Sequence, residues 1–495
     1  MTAAAETPVG YHPYLPERTG VVHTVDMGAA AIAARRVERR EQVQGDLSQL
    51  DRIAAGELAA DPDGRGEKLP LPAGMVQRGT VVLPQVIDDG SIQIEPETIF
   101  AVEDIPGNEY PRKHTLYLNF LGGMLTNGGD NSALGVSQLA RNGVYPAWTQ
   151  GMTKAVAIAQ GVQNDFAPFG ISVVYEERPG EVIPYTMSMM GGDWQDTNID
   201  SPAGGVAPGA DCGSLGQRHV VYAFDNGSTI QMANIASQEA GHAYGLDHTF
   251  NCSSVMSYCA GGDGSFQTEC AGLCEAQCQG ANTAGCQLTH EMFCGEGSLE
   301  QNDFEEMTWM FGGNEPDMEA PTVEILEPVD GLEVETGASV DFRAEVGDNY
   351  GGYAWKFVFY KDGEVVVDEV DYKRLRVDAD YRIAINLANL EAGVYELHLE
   401  VHDHFGHMTE DVVTVYVGGA TTTTNVDTGG SESGSGTTDG EEGTEESEGS
   451  SSAGLDDDGT DKGCNCDAGG SDGPGALGLL GVLGLLGTRG TRRRR

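Results

Sequence analysis

Ser237–His248 reads SQEAGHAYGLDH, and Ser253–Tyr258, a few residues on, reads SSVMSY. On a helix, Gln238 and His242 lie four residues apart on one face, with Glu239 beside them. Gly245 permits the left-handed turn that ends such a helix and brings His248 back to the same point. Two imidazoles and a third ligand around one point, with a position left for water, are what a catalytic zinc requires. Glu239 then stands where a general base takes a proton from that water, while the metal lowers the water's pKa and polarises a carbonyl.

Outward from this stretch, HTLYLNF from His114 reads as a strand, and Met152–Phe166 as a helix carrying Val156, Ile158, Val162 and Phe166. ISVVYEE, YTMSMM and HVVYAF read as further strands, and a long helix is expected from about Ser228. Strands interleaved with helices predict an α/β or α+β domain.

The motif in this setting resembles the metzincin metallopeptidases, whose signature is HExxHxxGxxH followed by a Met-turn. Glu239, His242, Gly245 and His248 match it position by position, and Met256 and Tyr258 stand where the Met-turn and its frequent tyrosine belong. The likeness covers roughly residues 110–313. It implies an α+β peptidase domain with zinc on Gln238, His242 and His248. Glu239 and Tyr258 are the implied catalytic residues, Tyr258 as oxyanion stabiliser or reversible ligand, and Met256 is an apolar floor. It also implies an edge strand that pairs with extended substrate, expected near YTMSMMGG, where three methionines would form an adaptable subsite or lie buried.

One position departs from the family: Gln238 stands where the signature has histidine. A neutral amide oxygen is a weaker zinc ligand than imidazole. Three readings stand. Gln238 ligates through its oxygen; or the two histidines are completed by another residue, such as His219 or Asp247; or the metal is absent and the fold serves as a binding module.

Cysteine use is local. Cys212, Cys252, Cys259, Cys270, Cys274, Cys278, Cys286 and Cys294 fall in one stretch, while Cys464 and Cys466 sit alone near the C-terminus. Eight irregularly spaced cysteines predict up to four disulfides in an oxidising compartment, with connectivity unreadable from sequence. The rival, a structural zinc cluster on the CxxxCxxxC of Cys270, Cys274 and Cys278, lacks paired CxxC knuckles. Cys252 and Cys259 flank the Met-turn, so a disulfide to either would brace the base of the site.

From Pro321 the pattern changes to short alternating strands. Val340, Phe342, Ala344 and Val346 alternate with polar residues, AWKFVFY follows, Asp362-Gly363 marks a hairpin, and YELHLEV and DVVTVYV close the run. About one hundred residues of this predict an immunoglobulin-like sandwich without a pinning cysteine pair. Asp403, His404 and Gly406 are expected in a turn, with His402, His404 and His407 solvated rather than gathered on a metal.

At the N-terminus, MTAAAETPVGYHPYLPERTG lacks the basic region and apolar core of a secretory signal, although the cysteines imply export; the expectation is a start further upstream or another export route. Val43, Leu47, Leu50 and Ala54 share a helix face, with Arg35, Arg36, Arg39 and Arg40 solvated. This extension reads as a prosegment or a surface appendage. Having no cysteine, it supplies no thiolate to block a metal.

Net charge is −49, of which −41 belongs to residues 1–420. Such a surface repels phosphate backbones, so nucleic acid is excluded as a partner. It favours solubility outside a cell and offers carboxylates to Ca²⁺. Residues 420–462, built of Thr, Ser, Gly, Glu and Asp, cannot bury a core and read as a disordered spacer. The apolar stretch 474–487 is shorter than the ~20 residues of a bilayer-spanning helix and is followed by Arg489 and Arg492–Arg495. Cys motif, Gly/Leu-rich segment and Arg cluster together resemble the myxobacterial C-terminal sorting signal. That likeness implies handling by a sorting protease and lipid attachment near Cys464 or Cys466.

The expectation is therefore multidomain: 1–108 an N-terminal extension; 109–318 a disulfide-rich, α+β metzincin-like domain; 319–419 an all-β immunoglobulin-like sandwich; 420–462 an acidic linker; and 463–495 a hydrophobic sorting tail. The expected work is zinc-dependent hydrolysis of a peptide or protein substrate by a secreted or outer-membrane-anchored protein. The alternative is a surface binding protein that keeps the fold without turnover.

Overall fold

The structure is a computed structural model that describes residues 23–35, 68–71, 75–78, 80–84, 111–209, 218–225, 227–259, 264–274, 278, 286–372 and 380–419. By internal contacts the chain divides into residues 1–441 and 442–495, and everything described lies in the first unit. The acidic linker, the sorting tail, Cys464 and Cys466 lie outside the described residues, as does most of the expected N-terminal helix. Among the described residues, no helix is long and apolar enough to cross a membrane.

In chain order, strand β1 (His23–Asp26) precedes a helical stretch over 29–35, and β2 (Met75–Arg78) and β3 (Val81–Pro84) form an antiparallel hairpin. An α+β domain follows. Strand β4 (His114–Asn119) leads into a small three-stranded sheet of β5 (Gly123–Asn127), β6 (Val136–Ser137) and β7 (Gly143–Tyr145) with β5 at its centre. Next come α1 (Met152–Phe166), β8 (Ile171–Val174), β9 (Thr186–Met190), β10 (Gly205–Val206), β11 (Val220–Ala223) and α2 (Thr229–Tyr244). The domain closes with β12 (Ala271–Gly272), α3 (Gln287–Cys294), β13 (Glu300–Gln301) and α4 (Asp303–Phe311).

The main sheet has the order β10-β11-β9-β4-β8, with every pair parallel except the antiparallel edge strand β10. Parallel strands covered on both faces need apolar or satisfied residues throughout, and β4 and β9 are buried along their whole length. Helix α1 presents Ala155, Ile158, Ala159, Val162 and Phe166 to the core. It crosses α2 closely at Gly161, where an added Cβ would meet the Ala233 Cβ at 2.6 Å. Both helices share one apolar cluster with Leu116, Leu118, Met256, Met307 and Phe311, so α2 is held from the sheet side and from the Met256 loop.

The remaining strands are β14 (Thr322–Glu327), β15 (Leu332–Val334), β16 (Val340–Gly347), β17 (Ala354–Lys361), β18 (Glu364–Tyr372), β19 (Asp380–Ala388), β20 (Gly393–His402) and β21 (Met408–Val417). They form a β-sandwich of two sheets, β1-β19-β16-β14 and β15-β21-β20-β17-β18. Val340, Phe342, Ala344 and Val346 face inward as their alternation predicts. Asp362 and Gly363, at φ 51 and 82, make the tight β17–β18 hairpin turn.

The sandwich is not confined to 319–419. Strand β1, expected in a separate extension, pairs in parallel with β19 from His23↔Ile385 to Asp26↔Ala388. Val25, Met27 and Ile32 join the sandwich core. Arg35 is half-buried rather than solvated, donating to the Val366 and Asp26 carbonyls at 3.0 and 2.9 Å. An edge strand satisfies its free backbone groups with any extended apolar segment that reaches it, and composition gives no sign of which segment that is.

Candidate metal centre

Helix α2 starts at the N-cap Ser228, whose hydroxyl accepts from the Gln231 N–H, and stops at Gly245. At φ 117, Gly245 donates to the Gly241 and His242 carbonyls, and Leu246 N–H bonds the Gly241 carbonyl as well. That reversal returns the chain to α2. His242 and His248 meet with their Nε2 atoms 3.0 Å apart and ring centroids 4.3 Å apart. His242 donates Nδ1–H to the Leu246 carbonyl at 2.7 Å, which leaves Nε2 as its bare nitrogen. Burial, with His248 close by, pushes the His242 pKa well down and keeps the ring neutral, the form that ligates a metal.

Glu239 is fully buried beside them. Neither of its carboxylate oxygens has a hydrogen-bond partner among the described residues. Burial therefore pushes its pKa well above the carboxylate range. Gly205 on β10 makes the room: a Cβ there would stand 2.6 Å from Glu239 Oε1. Gln238 donates its amide to the Val255 and Ser257 carbonyls at 2.9 and 3.3 Å, tying α2 to the loop that carries Met256. Its oxygen is thus the atom on offer to a metal.

Met256 is buried against α2 at Gly241, where a Cβ would meet its Sδ at 2.7 Å. Tyr258 stacks on His248 with centroids 4.0 Å apart and planes 16° apart. Cys252 and Cys259 pair with each other and close this loop. Cys270–Cys294 and Cys274–Cys278 are also disulfides, which removes the alternative of a zinc cluster on Cys270, Cys274 and Cys278. Cys286 is disulfide-bonded too, and Cys212 lies outside the described residues.

The two substitute ligands are occupied elsewhere. His219 Nδ1 lies 3.3 Å from Asp130, and Asp247 Oδ2 lies 3.0 Å from His290 Nε2. His290 is buried between Asp247 and Glu306, the latter 2.9 Å from its Nδ1. Burial alone would lower its pKa, but Glu306 and Asp247 outweigh it and hold the ring at about 10. Gln301 clasps the same turn, accepting from Asp247 N–H at 2.6 Å and donating to its carbonyl at 3.0 Å. This charged cluster fixes the chain immediately before His248. It was not anticipated, because its members lie up to 59 residues apart.

Of the two readings of the methionines the buried one holds: Met187, Met189 and Met190 lie within the central strand β9. One further expectation is corrected. The three histidines of the sandwich are not uniformly solvated. His404 bonds Thr115 Oγ1 at 2.9 Å, and burial and Arg112 push its pKa down to about 3. His402 faces Glu400, and His407 faces Asp403.

Sequence reading also missed Thr80. It sits at the tip of the β2–β3 hairpin, with Oγ1 3.3 Å from both His248 Nε2 and Tyr258 Oη. Ala207, next to β10, donates to the Thr80 carbonyl at 2.9 Å and accepts from Val82 N–H at 3.1 Å. An extended segment thus lies along the free edge of the sheet, with its tip on the histidines.

No family model matches the chain, and no curated protein matches it. Among solved structures it is similar to the fibronectin(III)-like modules of Clostridium thermocellum CbhA (21% identity, 19% of this chain and 94% of that chain, TM-score 0.15). It is also similar to the RIG-5 IG1 homodimer (17%, 20% and 98%, TM-score 0.15). A third is a conjugative transposon lipoprotein from Bacteroides eggerthii (21%, 19% and 95%, TM-score 0.14). At such scores the assignment of the β-sandwich rests on its own strand pairing, and the disulfides are what fit an oxidising, extracellular setting.

Proposed function

We propose that this chain is a secreted or cell-surface zinc-dependent peptidase of the metzincin type. The observation that carries the reading is the convergence of two bare or bareable imidazole nitrogens beside a buried carboxyl group that has no partner among the described residues. Two nitrogens bound tetrahedrally to one zinc stand about 3.3 Å apart, close to the 3.0 Å between His242 and His248. His242, His248 and the Gln238 oxygen would hold the ion. When bound, it would lower the pKa of a water and polarise the scissile carbonyl.

The protein's own part follows from the geometry. A cation near Glu239 favours its ionised form, so that it accepts the proton of the attacking water and returns it to the leaving amine. Tyr258, stacked on His248, directs its hydroxyl to the point that Thr80 contacts and is suited to hydrogen-bond a developing oxyanion. Ala207, at the end of edge strand β10, supplies backbone groups for an extended substrate, groups that Thr80 and Val82 occupy in this conformation. The N-terminal hairpin therefore acts as a prosegment that covers the cleft. The outer-membrane anchoring through residues 463–495 belongs to the same proposal and rests on the sequence of that tail.

A second reading, a binding protein without turnover, is favoured by the Gln238 amide, which is engaged as a structural tie to the Met256 loop. The decisive experiment is zinc content and quenched-peptide hydrolysis of the full chain from an oxidising host, before and after limited proteolysis of the extension. Wild type, Glu239→Ala and Gln238→His are compared. The peptidase reading expects one zinc per wild-type chain and cleavage abolished in Glu239→Ala. Zinc and turnover appearing only in Gln238→His would instead establish the binding protein.

A further inference from the structure

A second group of ligand atoms lies away from the histidines, where the α+β domain meets the sandwich. Asp317 comes from the connector after α4, Asp348 from the loop after β16, and Asp403 and His407 from the turn after β20. One oxygen each of Asp317 and Asp403 and one ring nitrogen of His407 lie within 4.8 Å of one another. Asp317, Asp348 and Asp403 are 3%, 7% and 4% exposed. Asp317 Oδ2 and Asp348 Oδ1 are buried with no hydrogen-bond partner among the described residues. Buried carboxylates carry such a cost only when something repays it.

The surroundings neutralise them only in part: His407, pushed up chiefly by its bond to Asp403 and further by Asp317 and Asp348, supplies at most one positive charge to three carboxyls. Asp403 is occupied on its own turn, accepting from Phe405 and His407 N–H at 2.8 and 2.9 Å and from the His407 ring at 2.6 Å. Asp317 accepts only Glu319 N–H, at 3.1 Å, through its other oxygen. Lys113 attracts Glu315 and Asp317, while its ammonium donates to the Gly313 carbonyl and rests over the Tyr350 ring. Glu315 and Glu319 add further negative charge around Tyr350. Burial, then Asp317 and Asp403, push Asp348 up to about 7.

We propose that Asp317 and Asp403, with Asp348 close by, form a binding site for a hard divalent cation of the calcium class, which clamps the α+β domain to the sandwich. Carboxylate oxygens from three separate segments suit Ca²⁺, which takes six to eight oxygen ligands in flexible geometry and fills the remainder with backbone carbonyls and water. His407, whose ring nitrogen bonds Asp403 at 2.6 Å, orients that carboxylate. The seam it would close is already made of short contacts: Lys113 N–H donates to the Gly351 carbonyl at 3.0 Å, Gly351 N–H to the Pro111 carbonyl at 3.2 Å, and Thr115 meets His404. The diffuse acidity of the sequence thus becomes a defined position.

The test is calorimetric titration of the full chain with Ca²⁺, Mg²⁺ and Zn²⁺, with thermal unfolding in a calcium chelator and in excess Ca²⁺. Wild type, Asp317→Asn/Asp348→Asn and His407→Gln are compared. Wild type is expected to bind one equivalent of Ca²⁺ more than the double variant and to gain several degrees in Tm. The double variant is expected to lose that response yet, with repulsion removed, to match or exceed wild type in the chelator. His407→Gln is expected to retain Ca²⁺. The acidic linker is common to all three, so the difference in stoichiometry reports the seam alone. Equal Ca²⁺ binding by wild type and double variant would overturn the proposal, as would preference for Zn²⁺ with loss in His407→Gln.

Discussion

At the scale of single residues, the site is built from absences of side chain as much as from presences. Gly205 leaves the space that the Glu239 carboxyl fills, and Gly241 leaves the space for Met256. Gly205→Ala is expected to shift Glu239 and cost about 1–3 kcal/mol of stability through overpacking. A misplacement of about 1 Å costs turnover roughly a hundredfold; peptide hydrolysis and thermal unfolding of the variant read both. His290 carries a pH prediction. Its folded pKa of about 10 lies above its ordinary 6.5, so its contribution is complete below pH 6.5 and disappears as pH rises through 10. Wild-type Tm should fall across that window, and His290→Gln, which breaks a buried charged cluster, should lose about 3–5 kcal/mol at neutral pH and show a flatter alkaline limb. The Ser237–His248 motif was legible because helix period and a glycine stop fix its geometry locally. The partners of Asp247 were not, because a buried ion cluster leaves no periodic trace.

At the scale of elements, periodicity located Met152–Phe166 and placed the start of α2 to within a residue, since each has one apolar face and a clear break. The methionines of β9 left two readings open for the opposite reason: a strand buried on both faces reads as a soft apolar run, and only the pairing order separates centre from edge. Disulfide connectivity was likewise invisible until the chain was folded. Cys252–Cys259 closes a short loop of sequence separation 7 around Met256 and Tyr258. Chain-entropy arguments give it about 2 kcal/mol, and Cys252→Ser/Cys259→Ser should lower Tm and loosen His248, read as weaker zinc retention on dialysis. The β2–β3 hairpin is the element whose removal should raise activity. A chain cut by limited proteolysis between residues 84 and 111, then freed of the hairpin, is expected to hydrolyse peptides faster than the intact chain. Equal rates would leave the hairpin as a scaffold.

At the scale of the whole molecule, one end of the N-terminal extension completes the sandwich and a later part of it touches the histidines. A chain lacking residues 1–27 should therefore lose protection in β19 and β16, measured by amide hydrogen exchange, while β4, β9 and β11 keep theirs. The alternation within residues 321–417 was enough to predict the sandwich, but not its β1 strand, because pairing over that distance is decided by the open edge of β19 and not by local pattern. The same pairing has a consequence in time. His23 meets Ile385, so at roughly 5–20 residues per second of synthesis the first strand waits about 20–70 seconds for its partner. During that interval Val25 and Met27 have no apolar place to go. A newly made chain thus leaves this strand open to holdase capture, and a pulse-labelled nascent chain should shed that capture only after β19 has emerged.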